Sequence, residues 1–224
     1  MGWRFAIAAT SQILNRYVQI LKMGKTEIEQ SFDYLVSKLW TPFKSRGYKK
    51  QGNNFRFYSN EGWGKIVNFR KSQWGDKDKI SFAVNIGFYL PEVSKFHCGK
   101  EAQERFAEAS SVVRKRIGDF MPKNHKDWFE VNPSTNIEEL YKELNGYFED
   151  LIIPYLDPIC SKQDILNILI EGHRSHYMSA QIQTLWANGY KDVAKQQLIN
   201  ELARAKGLPF YLEELNRIQQ QMVD

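Results

Sequence analysis

The chain has 224 residues, 42% hydrophobic and 14% aromatic, which is enough for one domain or one and a half built on a substantial core. Its two cysteines, Cys98 and Cys160, lie far apart and outside any CxxC pattern, arguing against a disulfide framework or structural zinc site and for a reducing compartment. The net charge of +5 is dispersed, no apolar run approaches the ~20 residues that span a bilayer, and no secretory signal opens the chain, so a cytoplasmic protein without membrane contact is expected.

Residues 1–22 read either as a short helix with Ile13, Tyr17, Ile20 and Leu21 on one face, or as an extension ahead of a start at Met23-Gly24. Thr26 and Glu29 have the spacing of a capping box, in which hydroxyl and carboxylate satisfy backbone N–H groups orphaned at a helix start. The helix carries Ile28, Phe32, Leu35, Leu39 and Phe43 on one face, weakens at Pro42 and stops at Arg46-Gly47.

Residues 48–90 then read as one β-meander. Gly52-Asn53-Asn54 and Asn60-Glu61-Gly62-Trp63-Gly64 supply turns, Phe55-Arg56-Phe57-Tyr58 alternates, and residues 65–72 form a further strand. Asp76 and Asp78 lack the further ligands of a calcium loop, so residues 74–78 read as a hairpin loop. Beyond it, Phe82, Val84, Ile86, Phe88 and Leu90 share one face in strict period two, the pattern of a strand buried on one side.

After Pro91, the spacing of Ala102, Phe106, Ala109, Val113 and Ile117 predicts a second helix ending at Gly118. Residues 128–131 read as a short strand or an ordered loop. A third helix starts near Thr135 or Asn136, where Glu138 and Glu139 complete the cap. It carries Leu140, Leu144, Tyr147, Leu151 and Tyr155 and ends at Pro154 and Pro158. From Ser161 onward the signals are helical, with stops at Gly172, Asn188-Gly189 and Gly207-Leu208-Pro209. The expectation is an α+β fold: an antiparallel β-meander packed on one face by long amphipathic helices, with a C-terminal helical appendage. The expected boundaries are 1–22 for the N-terminal segment, 23–160 for the α+β domain and 161–224 for the helical region.

Several stretches, in order, carry a resemblance: Pro42 with Gly47-Tyr48-Lys49-Lys50, Gly52-Asn53-Asn54-Phe55-Arg56-Phe57, Asn68-Phe69-Arg70-Lys71-Ser72, Phe82-Ala83-Val84-Asn85-Ile86-Gly87, Arg116-Ile117-Gly118 and Trp128-Phe129. Together they resemble the bacterial family known as domain of unknown function 4304, over roughly residues 28–160. That family's pattern has Gln where this chain has Arg70. The resemblance implies the α+β fold and supplies no catalytic residue.

Alternation places Arg56, Tyr58, Asn68, Arg70, Ser72, Ser81, Asn85 and Tyr89 on the sheet face opposite the core, two arginines, two asparagines and two tyrosines with no carboxylate. Such a face suits hydrogen bonding to an acidic partner, and Arg and Tyr are favoured contact residues. The leading expectation is a non-enzymatic protein-binding module, of immunity or antitoxin type, that docks through Arg56, Tyr58, Asn68, Arg70, Asn85 and Tyr89. The alternative is a nucleic-acid-associated protein using the basic run Lys44, Arg46, Lys49 and Lys50 near Phe55, Phe57 and Tyr58. An enzyme with a site assembled from scattered residues is the third reading. His173 and His176 lack a third ligand, and adjacent His97-Cys98 does not form a nucleophile pair, so no metal, cofactor or catalytic set is expected.

Overall fold

The computed structural model describes residues 26–74, 78–101, 103–121 and 127–222. The face of Ile13, Tyr17, Ile20 and Leu21, the Met23-Gly24 start and the centre of the 74–78 loop lie outside them. Helix α1 (Glu27–Leu39) opens on the expected capping box, with Thr26 Oγ1 accepting from the Glu29 N–H at 3.2 Å and Glu29 returning the bond at 2.9 Å. It buries Phe32, Leu35, Val36 and Leu39, and Pro42 restarts the chain as a single turn, α2 (Thr41–Lys44), which adds Phe43 to the same core. Proline suits a first helical turn because its missing N–H has no partner there anyway.

The meander follows as β1 (Lys49–Gln51), β2 (Asn54–Tyr58), β3 (Gly64–Lys71) and β4 (Ile80–Tyr89). Two further strands share the free edge of β4: β5 (Val113–Arg116) along Asn85–Phe88 and β6 (Phe129–Val131) along Ile80–Phe82. Every pairing is antiparallel. The register Phe55↔Val67↔Ile86 and Phe69↔Val84 puts the aromatic and β-branched residues on the face covered by helices, as alternation requires. There Phe82 meets Phe32 edge-on at 5.1 Å, and Phe43 meets Phe55 at 5.2 Å.

The helix predicted over 102–117 does not form. Pro91–Cys98 is a helix (α3), closed by Gly99 at φ 67, and a 3-10 turn at Glu108–Ser110 precedes strand β5. The hydrophobic spacing instead serves a crossing segment that covers the other face of the sheet. Phe106 inserts against Ile66 and Tyr89, its ring stacked on Tyr89 at 4.4 Å, with Tyr58 alongside. Ser111 seats over Gly87, where a Cβ would lie 2.3 Å from the Ser111 hydroxyl oxygen. In consequence β4 is buried on both faces from Phe82 to Tyr89, a correction to the one-sided burial read from its alternation.

Gly64 opens β3 beneath the same plug. A Cβ there would meet the Phe57 carbonyl oxygen at 2.6 Å and the Phe106 ring at 2.5 Å. Backbone cannot yield as a side chain can, so Gly64→Ala is expected to cost about 1–3 kcal/mol by overpacking. A urea melt within about 0.5 kcal/mol of the parent would contradict this placement of Phe106.

Helix α4 (Ile137–Tyr147) is capped by Asn136 Oδ1, which accepts from the N–H groups of Glu138 and Glu139. Glu138 is otherwise engaged, accepting from Tyr34 and Lys38 of α1, and these bonds hold its carboxyl below the usual carboxylate range. A π turn (Phe148–Ile152) joins α4 to the short α5 (Ile153–Leu156), so Pro154 begins α5 instead of ending the helix. The wider turn adds a residue to the repeat and rotates the buried face. Leu144, Phe148, Ile152 and Leu156 form the inner stripe, whereas Leu140, Tyr147, Leu151 and Tyr155 of the expected stripe are half-buried. Lys65 of β3, buried beside Phe57, donates to the carbonyls of Leu156 and Ile159 at 2.9 and 2.8 Å. Burial lowers its pKa, opposed by Cys160, Asp157 and Asp164.

The remaining helices are α6 (Lys162–Ile170), α7 (Met178–Ala187), α8 (Lys191–Arg204) and α9 (Pro209–Gln221). Ser161 and Asp164 cap α6 reciprocally. Helix α7 is buried along most of its length, packed between α3 and α8, and the apolar residues from Ile165 to Met222 join the core that begins at Phe32. The Tyr177 hydroxyl donates to the Ala109 carbonyl, tying this region to the segment that crosses the sheet. Among the described residues no helix is long and apolar enough to cross a membrane.

Candidate binding surface

The crossing segment divides the polar face of the sheet into a covered end and an open end. At the covered end, Tyr89 is 1% exposed and carries Phe106, so it has no surface to offer a partner. Tyr58 is half-buried against the same ring, and its hydroxyl pKa is raised by burial and then by Tyr89 and Glu104. Arg56 is likewise half-buried, its Nε donating to the Phe106 carbonyl at 2.7 Å and one terminal nitrogen to Gln51 at 3.3 Å. Three of the six expected contact residues therefore serve the crossing segment.

The other three lie at the open end. Asn54, Asn68 and Asn85 stand side by side across β2, β3 and β4, Asn68 donating to Asn54 at 2.8 Å and Asn85 to Asn68 at 3.5 Å. Asn85 is buried within this ladder. Arg70, two residues along β3, is exposed and makes no hydrogen bond or ion pair among the described residues. The next rung after Asn85 is Arg116 of β5, which the helical reading of 102–117 kept apart from the sheet. Its guanidinium lies 5.7 Å from the Trp128 ring centre, and its backbone N–H donates to Asp119 at 2.7 Å. Arg70, Asn85, Arg114 and Arg116, together with Glu108, Asp119 and His176, line a shallow cleft of about 270 Å³.

This face is not free of carboxylates, as the strand pattern alone suggested. Glu108, brought in by the crossing segment, holds Arg114 through paired bonds of 2.7 and 3.2 Å, and Glu130 of β6 accepts from Ser81 and Lys79. Arg114 is thereby engaged, while Arg70 has no acid among the described residues. Two tryptophans border the open end: Trp128 is 38% exposed, and Trp74, its N–H held by the Ser72 hydroxyl, is 93% exposed.

The basic run is split. Arg46 turns to Asp157 at 3.1 Å and to the Pro42 carbonyl at 2.8 Å, and Lys44 stands alone on α2. Lys49 and Lys50 instead line a cleft of about 350 Å³ with Gln51, Arg56, Tyr58, Glu104 and Arg105. Two residues of each expected set thus meet here, together with an arginine that neither set contained.

The histidines do not converge on a metal site. His173 is partly buried, which lowers its pKa, with a hydrogen bond to the Val112 backbone opposing, and His176 reaches the open cleft. Among the described residues no group of three or more His, Cys, Asp or Glu is arranged to hold a metal ion. Cys98 and Cys160 are exposed free thiols whose sulfurs lie 3.1 and 3.2 Å from backbone carbonyls, and the His97 ring packs tilted against Tyr177 with centres 4.3 Å apart.

A family model described as Domain of unknown function (DUF4304) matches residues 39–158, which spans the helix end at Leu39, the whole sheet, the crossing segment and α4 through α5. Compared with curated proteins and with solved structures, the chain shows no match.

Proposed function

We propose that this chain, which belongs to the DUF4304 family, is a non-enzymatic protein-binding module that grips an acidic partner with the open end of its sheet. The observation that carries this reading is Arg70: an exposed cation without an acid of its own among the described residues, sharing a cleft with Arg116 and bordered by exposed Trp128. Arginine and tryptophan dominate binding energy at interfaces because each covers apolar area while keeping a directional polar group. The asparagine ladder supplies a flat floor of amide donors and acceptors between them. An immunity- or antitoxin-like inhibitor is the corresponding biological class.

Attraction between an arginine face and an acidic surface is screened by salt. Capture from native lysate on immobilised protein should therefore retain an acidic protein at low salt and release it at high salt. A retained partner that is basic, or that stays bound irrespective of salt, would overturn the proposal.

A further inference from the structure

The cleft at the β1–β2 edge lies on the far side of the crossing segment's Phe106 from the open face, and its chemistry is different. Four cations line it, Lys49, Lys50, Arg56 and Arg105, against a single carboxylate, Glu104. That carboxylate is already spent, because it accepts from Lys49. Lys50 and Arg105 make no ion pair or hydrogen bond among the described residues, and Arg56 has only neutral acceptors, the Phe106 carbonyl and Gln51. Glu104 also feels the charge of Arg105, and Lys50 enters the rim from the Phe55 side of the edge strand. Among the described residues the lining of this space of about 350 Å³ carries four cations and one carboxylate, a net charge of +3. Their mutual proximity has a cost: burial, followed by the charge of Arg105, depresses the Arg56 pKa. A fold tolerates cations crowded in this way when an anion from outside completes the site.

We infer that this cleft is a second, independent binding site, which takes the pyrophosphate group of a small phosphorylated ligand. Charge sets the class, since a lining of net charge +3 matches a di- or triphosphate better than a single carboxylate or monophosphate. Geometry agrees. Guanidinium forks present paired N–H donors to neighbouring phosphate oxygens, and Lys50 adds a mobile point charge. Arg56 is held in place by its bond to the Phe106 carbonyl, so its remaining N–H groups are oriented before the ligand arrives. Tyr58 provides an aromatic wall for whatever the pyrophosphate carries. A nucleic-acid strand fits less well, because strand binders continue a cationic track along the backbone. Here the track breaks at once: Arg46, the next cation on that side, is committed to Asp157.

The experiment is calorimetric titration of the chain with inorganic pyrophosphate at low salt, repeated with a nucleoside diphosphate and with a short single-stranded oligonucleotide. Pyrophosphate should saturate one site per chain. The Lys50→Ala/Arg105→Ala variant should bind about ten-fold or more weakly, since it removes two charge-assisted contacts. Its melting temperature should stay within about a degree, because both side chains are exposed and make no hydrogen bond or ion pair among the described residues. Arg70→Glu should bind pyrophosphate like the parent, so failure here and failure of the protein-binding reading are told apart. A nucleoside diphosphate binding more tightly than pyrophosphate would identify the nucleotide as the source of the group. Absence of saturation, equal affinity in the double variant, or affinity that grows with oligonucleotide length would each overturn the inference.

Discussion

Phe148→Ala is expected to lower stability by about 3–5 kcal/mol, the usual range for removing a fully buried phenylalanine and leaving its cavity. Phe148 is 0% exposed and sits in the π turn, where its ring meets Phe43 edge-on at 5.6 Å and Phe69 at 5.9 Å. It therefore joins the helical layer to the sheet at the centre of the aromatic core. The informative comparison is Tyr147→Ala, one residue earlier. A regular 3.6-residue repeat places Tyr147 inward, whereas in the structure it is half-buried with its hydroxyl donating to Glu143. Tyr147→Ala should cost clearly less than Phe148→Ala in parallel urea melts with unchanged slopes. The reverse order would mean that the helix is regular and the π turn misplaced.

The second large effect is expected at Glu201, a carboxylate 1% exposed within the C-terminal helices. Arg174 binds it through bonds of 2.9 and 2.8 Å, Arg204 adds one at 2.9 Å and the Tyr211 hydroxyl one at 3.1 Å. Glu201→Gln keeps the shape but turns an amide donor toward guanidinium groups that only donate, and hydrogen bonds to a charge are worth about 1.5–3 kcal/mol. Both arginines are more than half exposed and regain water, which keeps the loss below that of a fully buried pair. The sign with pH follows from the same contacts. Hydrogen bonding to Arg174 lowers the Glu201 pKa from 4.5, against desolvation, with Arg204 and Tyr211 assisting. A carboxyl depressed in the folded state contributes its stability in full above its unfolded pKa and loses it as pH falls through the folded value. The parent should therefore lose stability from about pH 4.5 downward more steeply than Glu201→Gln, as thermal melts across that range will show. Parallel pH profiles would contradict a role for the ionised carboxylate.

The parts of the fold that sequence foretells are those where local chemistry and tertiary packing agree. Thr26 with Glu29, and Asn136 ahead of Glu138 and Glu139, are short-range caps that need nothing distant. The alternation of β2, β3 and β4 sets their core face correctly for the same reason. The stretch 102–117 is misleading because Phe106, Val113 and Ile117 satisfy a helical period by coincidence. Each answers to a different neighbour: Phe106 to Tyr89, Val113 to Phe88, and Ile117 to the core beyond the end of β5. Signals against a helix were present in the Val112-Val113 pair, which favours a strand, and in the missing N-cap. That single misreading also separated Arg114 and Arg116 from Asn85 and left Arg105 out of the second cleft. Tyr89 and Arg56 illustrate the converse. Alternation placed them on the correct face, but nothing local announces that a segment many residues later will cover it.

The claim that the open end of the sheet is a docking surface depends most directly on Arg70. The comparison is partner capture from native lysate by the parent, by Arg70→Glu and by Lys44→Glu. The last makes the same charge change on another exposed, unpartnered cation, away from the sheet face. All three proteins should be equally stable within about 0.5 kcal/mol, because both residues are exposed and make no hydrogen bond or ion pair among the described residues. The parent and Lys44→Glu should retain the same acidic protein, and Arg70→Glu should lose it. Equal recovery of that protein by Arg70→Glu would contradict the account.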